Sequence, residues 1–384
     1  MSWAIWITGL PGSGKSVLAR EAARRLEALG EPVTVLELDE IRKVVTPSPR
    51  YSDTEREVVY RGLAHMAAVL TGAGVRVIVD ATAHRRAWRA RARAAIPRFA
   101  EVQLCCPLEV CREREAARRD SHAPRGIYAQ AGRPGARVPG MDVVYEPALS
   151  PELTLDTARL EPGIAAQEIV ALARTLEGGS PPRPAWPGRP GCVIWITGRP
   201  GSGKTTLARG VAGALSQARV ANEVLELTAF QRALLPAAGV PAATEEVMHR
   251  FFIWTAKILA DQGLVVIVDA TTPRRAWRDL ARCLIPSFAE VQLVCPAEVS
   301  AEREQAVRWG GPRDRTASPA ALAAGPEICL DYEESPAAEL TLNTHVVGRW
   351  SAVWQVVALT RRLLRPKGGH AATVGPGSAR EEEC

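Results

Sequence analysis

The 384-residue chain is 47% hydrophobic and 23% charged, enough apolar content to bury two or three cores and too much for a disordered polyelectrolyte. Its formal net charge of +6 is spread along the chain, which excludes a basic nucleic-acid-binding tail. No apolar run approaches the roughly 18 residues of a membrane span, and no leader pattern is visible, so the expected setting is cytoplasmic. The eight cysteines include no CxxC pair and no zinc spacing, which fits a reducing compartment and argues against a cysteine-held metal. Only five of the 48 basic residues are lysines, at 15, 43, 204, 257 and 367. Codon bias is the plainer account of that skew, although phosphate-bearing ligands also favour arginine.

In chain order, residues 4–8 read as an apolar strand and 15–28 as a helix with Leu18, Ala22 and Leu26 on one face. Residues 33–38 read as a strand, 60–70 as a helix, 75–79 as a β-branched buried strand and 102–105 as another. Strands alternating with helices predict an α/β fold, a mostly parallel sheet with helices on both faces. The pattern then repeats. Trp6-Ile7-Thr8-Gly9 recurs as Trp195-Ile196-Thr197-Gly198, and Val77-Ile78-Val79-Asp80-Ala81-Thr82 as Val266-Ile267-Val268-Asp269-Ala270-Thr271, both 189 positions on. Arg85-Arg86-Ala87-Trp88-Arg89 and Phe99-Ala100-Glu101-Val102-Gln103-Leu104 recur at the same offset of 189, while Leu155 and Thr157 match Leu342 and Thr344 at 187. Such collinearity means a duplicated domain. The expected organisation is a first domain over 1–175, a Pro/Gly-rich linker over 176–191, a second domain over 192–366 and a disordered tail over 367–384.

Between the first strand and helix lies Gly9-Leu10-Pro11-Gly12-Ser13-Gly14-Lys15-Ser16, which fits the phosphate-binding loop G-x-x-x-x-G-K-[ST] in its required context. Its glycines let backbone N–H groups converge on phosphate oxygens, helped by the positive end of the following helix. Lys15 is expected on the terminal phosphates and Ser16 on Mg²⁺, so ATP and Mg²⁺ are the implied cofactors. Gly198-Arg199-Pro200-Gly201-Ser202-Gly203-Lys204-Thr205 is the second instance. Both copies are therefore expected to be P-loop kinase-like domains.

Further segments of the first copy resemble the adenylylsulfate (APS) kinases, from about Ile5 to Thr157. Leu38-Asp39-Glu40-Ile41-Arg42 is similar to the family's Asp-x-Val-Arg segment. Tyr51-Ser52-Asp53-Thr54-Glu55-Arg56 resembles its Phe-Ser-x-x-x-Arg segment, with Arg61 as the arginine of the following helix. Pro107-Leu108-Glu109-Val110-Cys111 resembles its TPLEVCE run. Gly126-Ile127-Tyr128, Gly140 and Tyr145-Glu146-Pro147 resemble its lid, and Leu153-Thr154-Leu155-Asp156-Thr157 its final strand. The resemblance implies that Asp39 accepts the 3′-hydroxyl proton of adenylyl sulfate or holds water on Mg²⁺. It also implies that Tyr51 stacks on adenine while Arg42, Arg56, Arg61 and the lid's Arg137 hold the phosphosulfate. The chain departs from the pattern at Val59, at the lid lysines and at Ala81-Thr82-Ala83-His84, which stands for Phe-Ile-Ser-Pro. Asp80 before that segment is expected to share catalytic work with Asp39, and His84 is expected at the surface.

At the 189 offset Asp39 becomes Thr228, Arg42 becomes Gln231, Tyr51 becomes Val240 and Arg56 becomes Glu245, with Arg61 surviving as Arg250. The lid region becomes Gly310-Gly311-Pro312-Arg313-Asp314-Arg315. The second copy is therefore expected to bind nucleotide without phosphorylating adenylyl sulfate, as a regulatory or dimer-mimicking half; the alternative is a changed acceptor, with Asp269 as the remaining carboxylate. The expected activity is ATP-dependent phosphorylation of adenylyl sulfate by the first copy, with no nucleic-acid or membrane partner. The alternatives are a kinase for another small hydroxyl metabolite and a non-catalytic nucleotide-binding protein. Association is expected as an intramolecular pseudo-dimer or a homodimer.

Overall fold

The computed structural model describes residues 2–118, 124–177, 191–235, 242–309 and 332–365. Residues 178–190 of the expected linker, the expected tail at 367–384, Val240 and the 310–315 segment lie outside them. In the first copy β1 (Ala4–Thr8) leads through the glycine loop into α1 (Lys15–Ala28). Then follow β2 (Thr34–Glu37), α2 (Leu38–Val45), α3 (Asp53–Gly72), β3 (Val77–Asp80) and α4 (Arg86–Ala95). β4 (Phe99–Cys105), α5 (Leu108–Ala117), a short 3₁₀ turn (Tyr128–Gln130), β5 (Leu153–Asp156) and α6 (Pro162–Leu176) complete it.

The second copy repeats the plan. It comprises β6 (Cys192–Gly198), α7 (Lys204–Gln217), β7 (Asn222–Glu226), α8 (Leu227–Leu234) and α9 (Ala242–Asp261). β8 (Val265–Asp269), α10 (Arg275–Leu284), β9 (Phe288–Val294), α11 (Ala297–Trp309), β10 (Leu340–Asn343) and α12 (Arg349–Leu363) follow.

Each sheet is parallel and five-stranded, in the order β2-β3-β1-β4-β5 and, equivalently, β7-β8-β6-β9-β10. The chain leaves β1 toward one side of the sheet and later returns to its other side. That makes the carboxyl end of β1 the switch point where α/β sheets open a ligand crevice. β1 is buried along its whole length, and the indole of Trp6 satisfies its N–H on the Ala81 carbonyl at 3.2 Å.

Several boundaries differ from the sequence expectation: β3 runs over Val77–Asp80 rather than 75–79, β4 starts at Phe99 rather than 102, and the largest changes concern the two helices before β3. α3 starts at Asp53 rather than at 60, because Ser52 caps it: its Oγ accepts the Glu55 N–H at 3.2 Å. α2 starts directly after β2 with no loop, so Asp39 stands on the first turn of a helix. Acidic residues in that turn and basic ones in the last suit the helix dipole.

α1 and α6 cover one face of the first sheet. The other face is covered by α2, α3 and α4, and there the core does not end at the domain boundary. A single apolar cluster runs from Leu38, Ile41, Val59, Leu63 and Met66 into Phe230, Met248, Phe251 and Phe252 of the second copy. α3 packs on α8 and α9, and α2 packs on α9. Phe251 lies against Gly62, where an added Cβ would meet the ring at 2.7 Å, and Phe230 meets the His65 ring edge-on at 4.5 Å. Gly62→Val should overpack this contact and cost about 1–3 kcal/mol, lowering the thermal midpoint by roughly 3–10 °C. Adding Phe251→Ala to it should recover part of the loss. An unchanged midpoint in the single variant, read by calorimetry, would contradict the packing.

Candidate active site

The phosphate loop of the first copy is shaped by glycines in the left-handed region, Gly12 at φ 81° and Gly14 at φ 96°. A Cβ on Gly12 would sit 2.2 Å from the Cys111 carbonyl oxygen, so α5 seals the loop from below only if that residue is glycine. Thr157, just past β5, ties down the loop by donating to the Ser13 carbonyl at 2.9 Å. Inside the loop the buried Ser13 Oγ has no partner among the described residues, a polar atom in a cradle built for an oxyanion.

Lys15 is buried and folds back onto the Gly9 and Leu10 carbonyls at 3.2 and 3.0 Å. Burial pushes its pKa down, and Asp80 opposes that shift. Asp80 ends β3, opposite Ile7 of β1 and Glu37 of β2. Burial raises its pKa to about 6, against Lys15 and the Ser16 hydroxyl that donates to it. Ser16 beside a strand-end carboxylate is the donor set that would hold Mg²⁺ on a nucleotide, and the oxygens present fit a hard cation. No group of three or more His, Cys, Asp and Glu among the described residues forms a separate metal cluster.

The loop opens into a cleft of about 860 Å³ that also holds Asp39 and Arg42 from α2, Tyr51, Arg56 from α3, and Arg137. Arg42 pairs with Glu55 at 3.2 Å, and its guanidinium carbon lies 5.1 Å from the Tyr51 ring centre. Tyr51 itself has φ 52°, a strained value for a side chain of that size. Arg56 donates to the Arg137 carbonyl at 2.8 Å, and Arg137 pairs with Asp53 at 2.7 Å, so the segment carrying Arg137 is latched to the start of α3. Tyr128 latches the same segment to the phosphate loop by donating to the Pro11 carbonyl at 2.8 Å.

Arg61 does not join this group. It is absent from the cleft lining, and its Nε donates to Glu57 one turn back at 2.7 Å. Five helical residues separate it from Arg56, a rotation of about 140° that carries it to another face. His84 corrects the sequence reading in the opposite sense. It is only 3% exposed, lines the cleft and meets Trp88 edge-on at 4.8 Å, and burial lowers its pKa to about 4, so it is neutral near pH 7.

The sequence reading also missed Arg20, Arg50, Arg114, Arg118 and Arg133 in the lining. Arg114 was the most legible of them, one helical turn before Arg118 along a helix that seals the phosphate loop. Together the cleft gathers eight arginines and one lysine against two aspartates, a field suited to polyanions.

In the second copy the loop is intact. Gly201 and Gly203 have φ 74° and 96°, and Lys204 bonds the Gly198 and Arg199 carbonyls at 3.1 and 3.0 Å. Ser202 Oγ is buried without a partner among the described residues, and Thr205 donates to Asp269, whose pKa burial raises. The residues that match the rest of the first copy's cleft are different. Glu245 faces His249 at 3.7 Å where the first copy has Arg56 and Tyr60, and the Thr228 carbonyl accepts from Arg232 at 3.2 Å.

The Asp80 carboxyl, raised from 3.8 to about 6, stabilises the fold fully only below about pH 4. That contribution is lost as the pH rises through 6, where the anion available to a cation takes over. Magnesium–ADP affinity of the wild type, divided by that of Asp80→Asn at the same pH, should rise about tenfold between pH 5 and pH 7. The nucleotide's own titration cancels in the ratio, and a ratio independent of pH would remove Asp80 from the site.

A profile of the family described as adenylylsulphate kinase matches residues 1–156 and 190–309. A Pyrococcus abyssi protein described as a probable adenylyl-sulfate kinase is 37% identical over 175 residues, covering 45% of this chain and 96% of its own. Another so described, from Archaeoglobus fulgidus, is 37% identical over 158 residues, 41% of this chain and 97% of its own. Among solved structures, the Mycobacterium tuberculosis APS kinase CysC in complex with AMPPNP and APS aligns at 31% identity, TM-score 0.40, over 45% of this chain and 98% of its own. No helix among the described residues is long and apolar enough to cross a membrane. With one matched segment in each copy, together spanning well over half its length, the chain belongs to the adenylylsulphate kinase family.

Proposed function

We propose that the first copy transfers the terminal phosphoryl group of ATP to the 3′-hydroxyl of adenylyl sulfate, giving 3′-phosphoadenylyl sulfate and ADP, while the second copy holds nucleotide without transferring it. The observation that carries this reading is the meeting of two residue sets in one cleft. Lys15, Ser16 and Asp80 stand on the phosphate side, and Asp39, Arg42, Tyr51, Arg56 and Arg137 on the acceptor side.

The loop N–H groups and Lys15 bind the transferring phosphate and offset its charge, and Ser16 and Asp80 would hold Mg²⁺. Bound there, the cation neutralises charge on the phosphate oxygens. Arg42 and Arg56 orient the phosphosulfate, and Tyr51 packs on the base. Asp39, on the helix turn beside the loop, takes the proton of the attacking hydroxyl. Catalysis on this scheme is mostly positioning and charge neutralisation in a partly closed cleft. The substituted Ala81-Thr82-Ala83-His84 segment favours a second reading, in which another small hydroxyl metabolite is the acceptor.

Release of ADP should depend on added adenylyl sulfate. Lys15→Ala should cut that turnover by about 10²–10³-fold, and Asp39→Ala by about 10²–10⁴-fold with nucleotide binding kept. Lys204→Ala should leave it within about twofold, less than 0.5 kcal/mol on the barrier. Turnover on another hydroxyl compound but not on adenylyl sulfate would favour the second reading. Loss of turnover in Lys204→Ala alone would reverse the roles of the copies.

A further inference from the structure

The interface between the copies is not a symmetric one. Gly62 and Phe251 occupy equivalent positions at the 189 offset and differ sharply in size, and Ile41 has the aromatic Phe230 as its counterpart. Phe251 fills the space that Gly62 leaves, and Phe230 packs on His65. Two first copies meeting through this face would place glycine opposite glycine and leave a void. Two second copies would crowd two phenylalanines into the same place. The halves are shaped for each other, and the elements so joined on the first copy are α2 and α3, which carry Asp39, Arg42 and Arg56.

Among the described residues, a polar contact crosses the same face. Arg250, the counterpart of Arg61, donates to the Val44 carbonyl at 3.1 Å. Val44 lies in the last turn of α2, where carbonyls have no partner within the helix and a cation meets the negative end of the helix dipole. Arg250 is braced on Glu246 at 2.9 Å, so its guanidinium is held rather than free to follow α2. Val44 is two residues beyond Arg42 and five beyond Asp39. A shift of this end of α2 therefore moves the acceptor-binding arginine, its Glu55 pair and the Tyr51 ring beneath it before it moves the carboxylate.

We infer that the second copy is the built-in partner of the first, and that its Arg250 is a positioning residue for acceptor binding, acting across the interface through α2. The identity of the acceptor rests on the function proposed above; the positioning does not. The second copy thus keeps an arginine whose counterpart Arg61 lies outside the cleft, and uses it to order its neighbour's site.

The test compares Arg250→Ala and Arg250→Lys in the full chain. With adenylyl sulfate as acceptor, Arg250→Ala should raise its KM about three- to tenfold, the scale of one ordinary hydrogen bond, since the effect reaches the acceptor only through α2. The kcat and the KM for ATP should stay within about twofold, below 0.5 kcal/mol. Arg250→Lys, which keeps one cationic donor, should recover most of the loss. An unchanged KM for the acceptor, or equal losses for both substrates together with a falling thermal midpoint, would overturn the positioning role. Should the wild type not turn over adenylyl sulfate, the proposed function fails while this inference is still decided by hydrogen exchange. Arg250→Ala should then speed exchange of the α2 amides selectively over those of α1, and uniform or unchanged exchange would overturn it.

Discussion

The packing of α3 against α8 and α9 is the constraint on which the rest of the molecule turns. It joins α2 and α3 to the second copy in one apolar cluster, with Gly62 against Phe251 and His65 against Phe230. Burial of the apolar side chains fixes both helices, and the same helices present Asp39, Arg42 and Arg56 to the cleft. The position of these cleft residues therefore depends on an apolar cluster shared by the two copies, which reaches the cleft wall at Leu38 and Tyr60. The loop, by contrast, is fixed locally, by Gly12 against the Cys111 carbonyl and by the bond from Thr157.

Comparison of the copies separates scaffold from chemistry. Arg89, buried and paired with Glu101, has its twin in Arg278 and Glu290; Thr157, which steadies one loop, has its twin in Thr344, which donates to Ser202 at 2.9 Å. Tyr145 and Tyr332 both meet the threonine hydroxyl at the end of the central strand, at 3.0 and 3.3 Å. Those groups build the sheet edge and the loop, and both halves keep them. What the second copy lacks is the first copy's set of charged cleft residues, with glutamate for Arg56 and threonine for Asp39. A half that keeps its fold and phosphate loop while changing these cleft residues suits the supporting role proposed for it better than general decay, which would strike the buried pairs as well.

Much of this was legible in the chain itself. The two glycine loops and the parallel α/β plan follow from local patterns and the duplication from identities 189 positions apart, while the group Asp39, Arg42, Tyr51 and Arg56, which lines one cleft, was singled out through the family resemblance. α2 was missed because it begins without a loop, and the early start of α3 because the Ser52–Glu55 cap was not read as one. Arg61 failed for a geometric reason, since family spacing says nothing about which side of a helix a residue faces, and helical rotation from Arg56 takes it out of the cleft. His84 was read as exposed because a polar residue after a strand usually is, whereas here the Trp88 ring and the cleft wall enclose it. The interface could not be read from either copy alone. Its one signal lay in the mismatch of Gly62 with Phe251, which has no meaning until the two halves are placed face to face.

On the function proposed above, one chain holds two nucleotide sites and one acceptor site. Calorimetric titration of the full chain with a non-hydrolysable ATP analogue and Mg²⁺, followed by adenylyl sulfate with ADP present, measures both numbers directly. The account predicts two nucleotides and one adenylyl sulfate per chain, with the acceptor heat lost in Arg42→Ala and kept in Lys204→Ala. Two acceptor molecules per chain, or a single nucleotide, would contradict it.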